Sequence, residues 1–303
     1  MLRAGIDIGT NTILLLVAEV KNGRVARVLE DHVRVVRLGQ GVDQNRAFHP
    51  EALDRARKCF AEYAEILRRY PGVRVKAAAT SGSRDAANSA AFFEEVRRSY
   101  GIPVEVISGE EEALYSFLGG VPEGGNDPCA YAVLDIGGGS TEIVGQEPSG
   151  ALFRYSFDLG CVRMTERFLR NDPATREELE ELRRYVVAVL AEKRGLLEEA
   201  GRRQLIGVAG TATYLASASL GLPRFDLERV HGARLSAAAV DELIRRFLPM
   251  TASERIGIGG MDRGRADVIL GGAVILREVL RMAGLQELTA SVRGLRYGLV
   301  GGG

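Results

Sequence analysis

Two stretches of this chain repeat one another: "GIDIGTNTILLLV" around Asp7 and "LDIGGGSTEIV" around Asp135, 128 residues apart. Each reads as an apolar strand, Asp-Ile-Gly, a turn of small hydroxyl-bearing residues and a second apolar strand. The simplest arrangement that explains such an echo is two similar domains, each opening on this hairpin, facing one another across a cleft. A length of 303 residues with 46% hydrophobic and 26% charged residues suits that division, leaving two cores of roughly 100–200 residues each.

Between and after the hairpins the pattern alternates. Residues 23–38 continue in strand-like alternation. Pro50 to Tyr70 carries Leu53, Phe60, Ile66 and Leu67 at helical spacing and stops at Pro71-Gly72. "VRVKAAAT" (73–80) reads as a strand ending in a Ser81-Gly82-Ser83 turn, followed by a helix over 89–100, a short strand at 104–107 and a helix from Ser108. "VPEGGNDP" (121–128) has the composition of a linker. A second series follows, with a strand near 151–158, long helices over 175–200 and a strand at 204–210 running into "TATYLASAS". Strands and helices in alternation place the chain in the α/β class, with domains at 1–120 and 121–290.

Composition removes several alternatives. Forty basic residues balance forty acidic ones, so no global field draws the chain to nucleic acid or to an anionic membrane. Only Lys21, Lys58, Lys76 and Lys193 are lysine; the arginine excess suits bidentate phosphate contact, but a GC-rich genome is the simpler explanation of the same bias. Cys59, Cys129 and Cys161 are odd in number and scattered, which fits a reducing cytoplasm. The amino terminus shows no export signal, and the run "ILLLVA" is too short to cross a bilayer. His32, His49 and His231 are too dispersed for a zinc site, so a metal is expected among carboxylates.

The three glycines at 137–139 weaken any strand or helix, so they are wanted for bare backbone. Their N–H groups can converge on an anion, with Ser140 and Thr141 adding hydroxyl donors. The plainer reading is a hairpin turn that needs positive φ; the duplication at Gly9-Thr10-Asn11-Thr12 weighs against it. Asp7 and Asp135 end their strands just before the turns, either as turn-capping acceptors or as cleft carboxylates. In the latter case a magnesium ion bridging Asp135, Glu142 and phosphate oxygens would reconcile acids with a bound anion.

"VISGEEEALYSFLGG" (106–120) begins with a capping box, Ser108 with Glu111. Leu114, Phe117 and Leu118 form the expected buried stripe, leaving Glu112 near Tyr115 and Ser116 on the other side, either as a general base in the cleft or on a solvated face. Arg84 sits in a turn after a strand, where it can clamp a phosphate or simply face solvent. "GVAGTATYLAS" (207–217) is a further strand, glycine and helix start, a potential anion site.

In order along the chain, "GIDIGTNT", "ATSGSRDAANS", "VISGEEEALYSFLGG", "YAVLDIGGGSTEIV", "DLGCVRM", "GVAGTATYLA" and "RADVILGGAVIL" closely resemble the exopolyphosphatase/guanosine pentaphosphate phosphatase family. That family lies within the actin-like and sugar-kinase-like superfamily. The resemblance implies two ribonuclease-H-like domains with an interdomain cleft, the last segment (291–303) packing back on the first domain. It implies Glu112 as the base that activates water, Asp135 and Glu142 as holders of magnesium or another divalent cation such as manganese, and Gly137, Gly138, Gly139 and Ser140 as phosphate binders. Thr10, Asn11 and Arg84 would grip the terminal phosphate from the opposite wall, with Arg265 as an addition.

The implied reaction is removal of the terminal phosphate of inorganic polyphosphate by in-line attack of water, with guanosine pentaphosphate as a second candidate substrate and a homodimer as a candidate assembly. Longer family members carry further helical domains, so a chain ending at Gly303 is expected to favour shorter polyphosphates. Two other readings stay open: a kinase or ATPase on the same fold, and a non-catalytic sensor of polyphosphate or an alarmone.

Overall fold

The computed structural model describes residues 1–122 and 127–302; the centre of the linker expected over 121–128 lies outside the described residues. The chain divides into two units, one of Met1–Gly119 with Gly294–Gly303, the other of Gly120–Arg293. No helix among the described residues is long and apolar enough to cross a membrane.

The first unit is built on β1 (Leu2–Ile8), β2 (Thr12–Lys21), β3 (Arg24–Val35), β4 (Arg74–Ala79) and β5 (Val104–Val106), in the order β3-β2-β1-β4-β5. The β1–β2 and β2–β3 pairs are antiparallel, while β1–β4 and β4–β5 are parallel. Strand alternation sends Ile6, Ile8, Ile13, Leu15 and Val17 to one face, where they meet Phe60, Tyr63 and Ile66 of the helix Pro50–Arg68. Pro50 suits the first turn of that helix, where its missing N–H costs nothing. The buried Tyr63 hydroxyl is satisfied by donation to Ile13 O at 2.8 Å.

The other face of this sheet is covered by the helix Leu295–Gly301, whose Tyr297 and Val300 pack on Leu16, Ala18 and Val20. Arg296 makes a largely buried two-pronged bond to Asp31, at 3.0 and 3.1 Å. Removing one partner of such a pair strands a buried charge, at a cost of about 3–5 kcal/mol. The same helix lies against the helix Gly109–Gly120: a Cβ on Gly298 would come within 2.0 Å of Tyr115 O, so only glycine permits the approach.

The second unit repeats the plan. Its strands are β6 (Tyr131–Ile136), β7 (Thr141–Gln146), β8 (Leu152–Phe157), β9 (Gln204–Val208), β10 (Arg234–Ser236) and β11 (Glu287–Ala290), ordered β10-β11-β9-β6-β7-β8. β6, β7 and β8 form an antiparallel meander, and β9 and β11 extend it in parallel. Three antiparallel strands followed by two parallel ones, in the order 3-2-1-4-5, is the ribonuclease-H-like arrangement, and both units have it; β10 is an added edge strand. Ala132, Leu134, Ile136 and Ile143 face a core filled by the helix Ile269–Met282, which is apolar nearly all round.

The structure corrects two details of the sequence reading. Residues 81–83 are not a turn but open a short helix, Ser81–Asp85, that starts directly after Thr80 at the end of β4. In the helix Gly109–Gly120 the stripe expected at Leu114, Phe117 and Leu118 holds at Phe117, which is buried, but not at Leu114, half-buried, or Leu118, 48% exposed; Glu112, at 6%, and Ser116 are buried in their place. Close packing against Gly294 and Gly298 selects the face with small residues, and the larger leucine is displaced outward.

Candidate functional site

The candidate residues fall into two constellations, one in each unit. In the second unit, burying Ala132, Leu134 and Ile136 obliges Asp135 to point to the other face of β6, because side chains alternate along a strand. Across the ladder Asp135 is paired with Glu142 of β7, and Glu142 with Ser156 of β8, so the three share one face. Both acids are buried, at 7% and 0% exposure, and Glu142 Oε1 accepts from Ser156 Oγ at 2.6 Å. Like charges directly opposite on neighbouring strands repel.

The turn between these strands is closed by Gly137 N donating to Ser140 O at 2.9 Å. Its carbonyls are all engaged from the helix Cys161–Phe168. Gly137 O accepts from Cys161 N at 2.9 Å, and Gly138 O from Val162 N and Arg163 N at 2.9 and 3.1 Å. Gly139 O accepts from the Arg163 side chain, Nε, at 2.8 Å. A trans peptide points its C=O and its N–H in opposite directions. Anchoring those carbonyls therefore turns the N–H groups of Gly138, Gly139 and Ser140 away from the protein, and none of the three donates to a protein acceptor among the described residues. The approach of the bracing segment requires Gly160, where a Cβ would lie 2.2 Å from Gly138 O.

Arg265, carried by the helix Arg263–Ala266, is 6% exposed. Its guanidinium packs against Gly210 at the start of the helix Ala209–Ser219, 5.5 Å from the centre of the Tyr214 ring and 3.9 Å from Cys161 Sγ. The structure thus brings Arg265 beside the segment that braces the glycine turn, and Ala209, at φ 59, holds a left-handed conformation just before Gly210. Burial pushes the Cys161 thiol up, with the Arg265 charge opposing in part, so it stays a neutral thiol.

The first unit carries the same turn with different side chains. Gly9 N donates to Thr12 O at 2.9 Å, the counterpart of the bond from Gly137 to Ser140. Thr10 O accepts from Gly39 N at 2.8 Å, and Asn11 O from Val36 N and Arg37 N at 3.0 and 2.9 Å. Thr10 and Asn11 are buried, and Thr10 Oγ1 lies 3.3 Å from Ser81 Oγ at the head of the helix that bears Arg84. Arg84 Nη1 donates both to Ile107 O and to Glu112 Oε2, each at 2.9 Å. Glu112 is therefore neither solvated nor on an open helix face, but a buried carboxylate oriented by a guanidinium.

Ser81, Ser156, Arg163 and the paired glycines Gly39 and Gly160 did not emerge from the sequence reading. A second echo marks the glycines: Leu38-Gly39 and Leu159-Gly160 each follow the third strand of their sheet, and both leucines are buried. The three serine and arginine positions carry no such mark.

The profile of the Ppx/GppA phosphatase family matches residues 16–302. Among curated proteins, exopolyphosphatase 2 of Mycobacterium tuberculosis is 39% identical over 308 aligned positions, covering 98% of this chain and 96% of that protein. Among solved structures, an exopolyphosphatase-like protein is 36% identical with a TM-score of 0.92, over 99% of this chain and 97% of that one. An exopolyphosphatase from Cytophaga hutchinsonii is 29% identical with a TM-score of 0.87, over 98% and 96%.

Proposed function

Because this chain belongs to the Ppx/GppA phosphatase family, we propose that it is an exopolyphosphatase that hydrolyses the terminal phosphoanhydride of inorganic polyphosphate. The observation that carries this reading is the glycine turn: three outward N–H groups of Gly138, Gly139 and Ser140 lie in the turn that joins the strands of the opposed carboxylates Asp135 and Glu142. Such a turn is made to receive an oxyanion rather than a side chain.

In the proposed reaction the oxygen of a water molecule attacks the terminal phosphorus, the bridging P–O bond breaks, and orthophosphate leaves a chain shorter by one unit. The amides of Gly138, Gly139 and Ser140 and the Ser140 hydroxyl hold non-bridging oxygens. Glu112 takes the proton of the attacking water, and Arg84 fixes the direction of that carboxylate. Thr10, Asn11 and Arg265 are assigned to phosphate contact. Phosphoryl transfer asks mainly for positioning and charge neutralisation, and this set supplies both.

Asp135 and Glu142 fit a divalent cation. They are two buried carboxylates directly opposed on one sheet face. Two carboxylates with waters and phosphate oxygens is the usual donor set for magnesium, and manganese suits the same oxygens. When bound, the ion would neutralise charge on the phosphate oxygens and offset the repulsion between the two acids.

The test is orthophosphate release from inorganic polyphosphate, guanosine pentaphosphate and ATP, each with and without magnesium. Magnesium-dependent release from polyphosphate is expected. Release from ATP alone, or none from any of the three, would sink the proposal. Guanosine pentaphosphate ends in the same anhydride and is the second substrate proposed.

A further inference from the structure

One brace of the glycine turn is a side chain. Arg163, the third residue of the helix Cys161–Phe168, donates from Nε to Gly139 O at 2.8 Å, whereas Gly137 O and Gly138 O are held by main-chain amides. The peptide joining Gly139 to Ser140 is the one whose N–H faces outward from Ser140. Its carbonyl is fixed by that guanidinium, and glycine at 139 offers little resistance of its own to a peptide flip, because it populates both signs of φ readily. The first unit shows the contrast: Asn11 occupies the position of Gly139, 128 residues earlier, and its carbonyl is held by the amides of Val36 and Arg37. At this one position of the turn, a glycine braced by a side chain stands where the first unit has an asparagine braced by main-chain amides.

We propose that Arg163 is a positioning residue for phosphate recognition: by holding Gly139 O it aims the Ser140 N–H at the phosphate oxygen. The inference rests on the polyphosphatase reading above and adds a residue to it. Arg163 contacts the turn from the side opposite the outward amides, so it acts through Ser140.

The test compares Arg163→Met, which removes the donor and keeps the stem, with Arg163→Lys, which returns one donor. In Arg163→Met the KM for polyphosphate is expected to rise about tenfold, equivalent to about 1.4 kcal/mol, with kcat changed by less than about threefold and thermal stability retained. Arg163→Lys recovers part of that loss. The Ser140 amide resonance, followed in 15N-labelled protein, shifts when tripolyphosphate is added to the wild type and shifts less in Arg163→Met.

A wild-type KM in Arg163→Met overturns the proposal. So does a raised KM that tracks a loss of stability while the Ser140 amide still responds fully, since that is merely structural damage. Should Arg163→Met fail to fold, Arg163→Leu, which also lacks a donor, carries the same readouts, and the same two results overturn the proposal there. If wild-type protein does not hydrolyse polyphosphate, the functional reading fails, and the amide response to tripolyphosphate still decides the role of Arg163.

Discussion

Arg84 Nη1 lies 2.9 Å from Glu112 Oε2 and directs the same nitrogen to the Ile107 carbonyl, also at 2.9 Å. The arginine that the sequence suggests as a phosphate clamp also holds, in the folded unit, the carboxylate proposed as the base. A carboxylate held this way is aimed without needing solvent, and its two functions separate by mutation. Glu112→Gln is expected to lower kcat by about 10²–10⁴-fold, the usual worth of general base catalysis, and to leave polyphosphate binding near wild type. Arg84→Met should lower kcat by about 10²–10³-fold and weaken binding as well, because it removes both the aim and a cation. Orthophosphate release and equilibrium polyphosphate binding, measured on both variants, check the pair; equal behaviour of the two would contradict the division of labour.

The opposed acids give a trade of stability against activity. Asp135→Asn removes one of two like charges facing across β6 and β7, and without divalent cation it should gain about 0.2–1 kcal/mol of stability. The wild type, in turn, should be stabilised by magnesium, since an ion that binds only the native state adds to its stability. The variant should lose that response together with its phosphate release. Thermal melts with magnesium and with EDTA decide it, and a variant stabilised by magnesium as strongly as the wild type refutes it.

Gly298 tests the packing behind the candidate base. A Cβ there would sit 2.0 Å from Tyr115 O, one turn along the helix from Glu112. Gly298→Ala must push the two helices apart, at about 1–3 kcal/mol for overpacking. Both the melting temperature and kcat are expected to fall. Unchanged kcat at lowered stability would show that Glu112 does not depend on this contact.

Cys161 should behave as an inert thiol. It is fully buried and burial raises its pKa, so at about pH 8 it stays protonated and unreactive in the native protein and becomes alkylated only on unfolding. Mass spectrometry of iodoacetamide-treated protein reads this directly. Labelling of Cys161 in the folded state would contradict the burial assigned to it.

The duplicated hairpins were legible because strand alternation and glycine turns are written locally: Asp135 lies between Leu134 and Ile136, and its face follows from theirs. Glu112 was legible as a candidate, but its surroundings were not. Its carboxylate is held by Arg84, 28 residues away, and its helix packs on glycines at 294 and 298, neither of which a helical wheel of 109–120 contains. Likewise the Ser81–Asp85 helix follows from the chain's exit at Thr80 rather than from the propensity of Ser-Gly-Ser, which favours a turn. Arg163 was one arginine among thirty-six in the sequence, and only the fold distinguishes it, by placing it under the glycine turn.

The helix Leu295–Gly301 seals one face of a sheet whose first strand begins at Leu2. During synthesis that sheet emerges early, yet Leu16, Ala18 and Val20 wait uncovered until Tyr297 and Val300 have left the ribosome. At roughly 5–20 residues per second, the interval is many seconds. The first unit is thus completed only after every residue of the second has been made, and until then a nascent chain presents a greasy, chaperone-attracting surface.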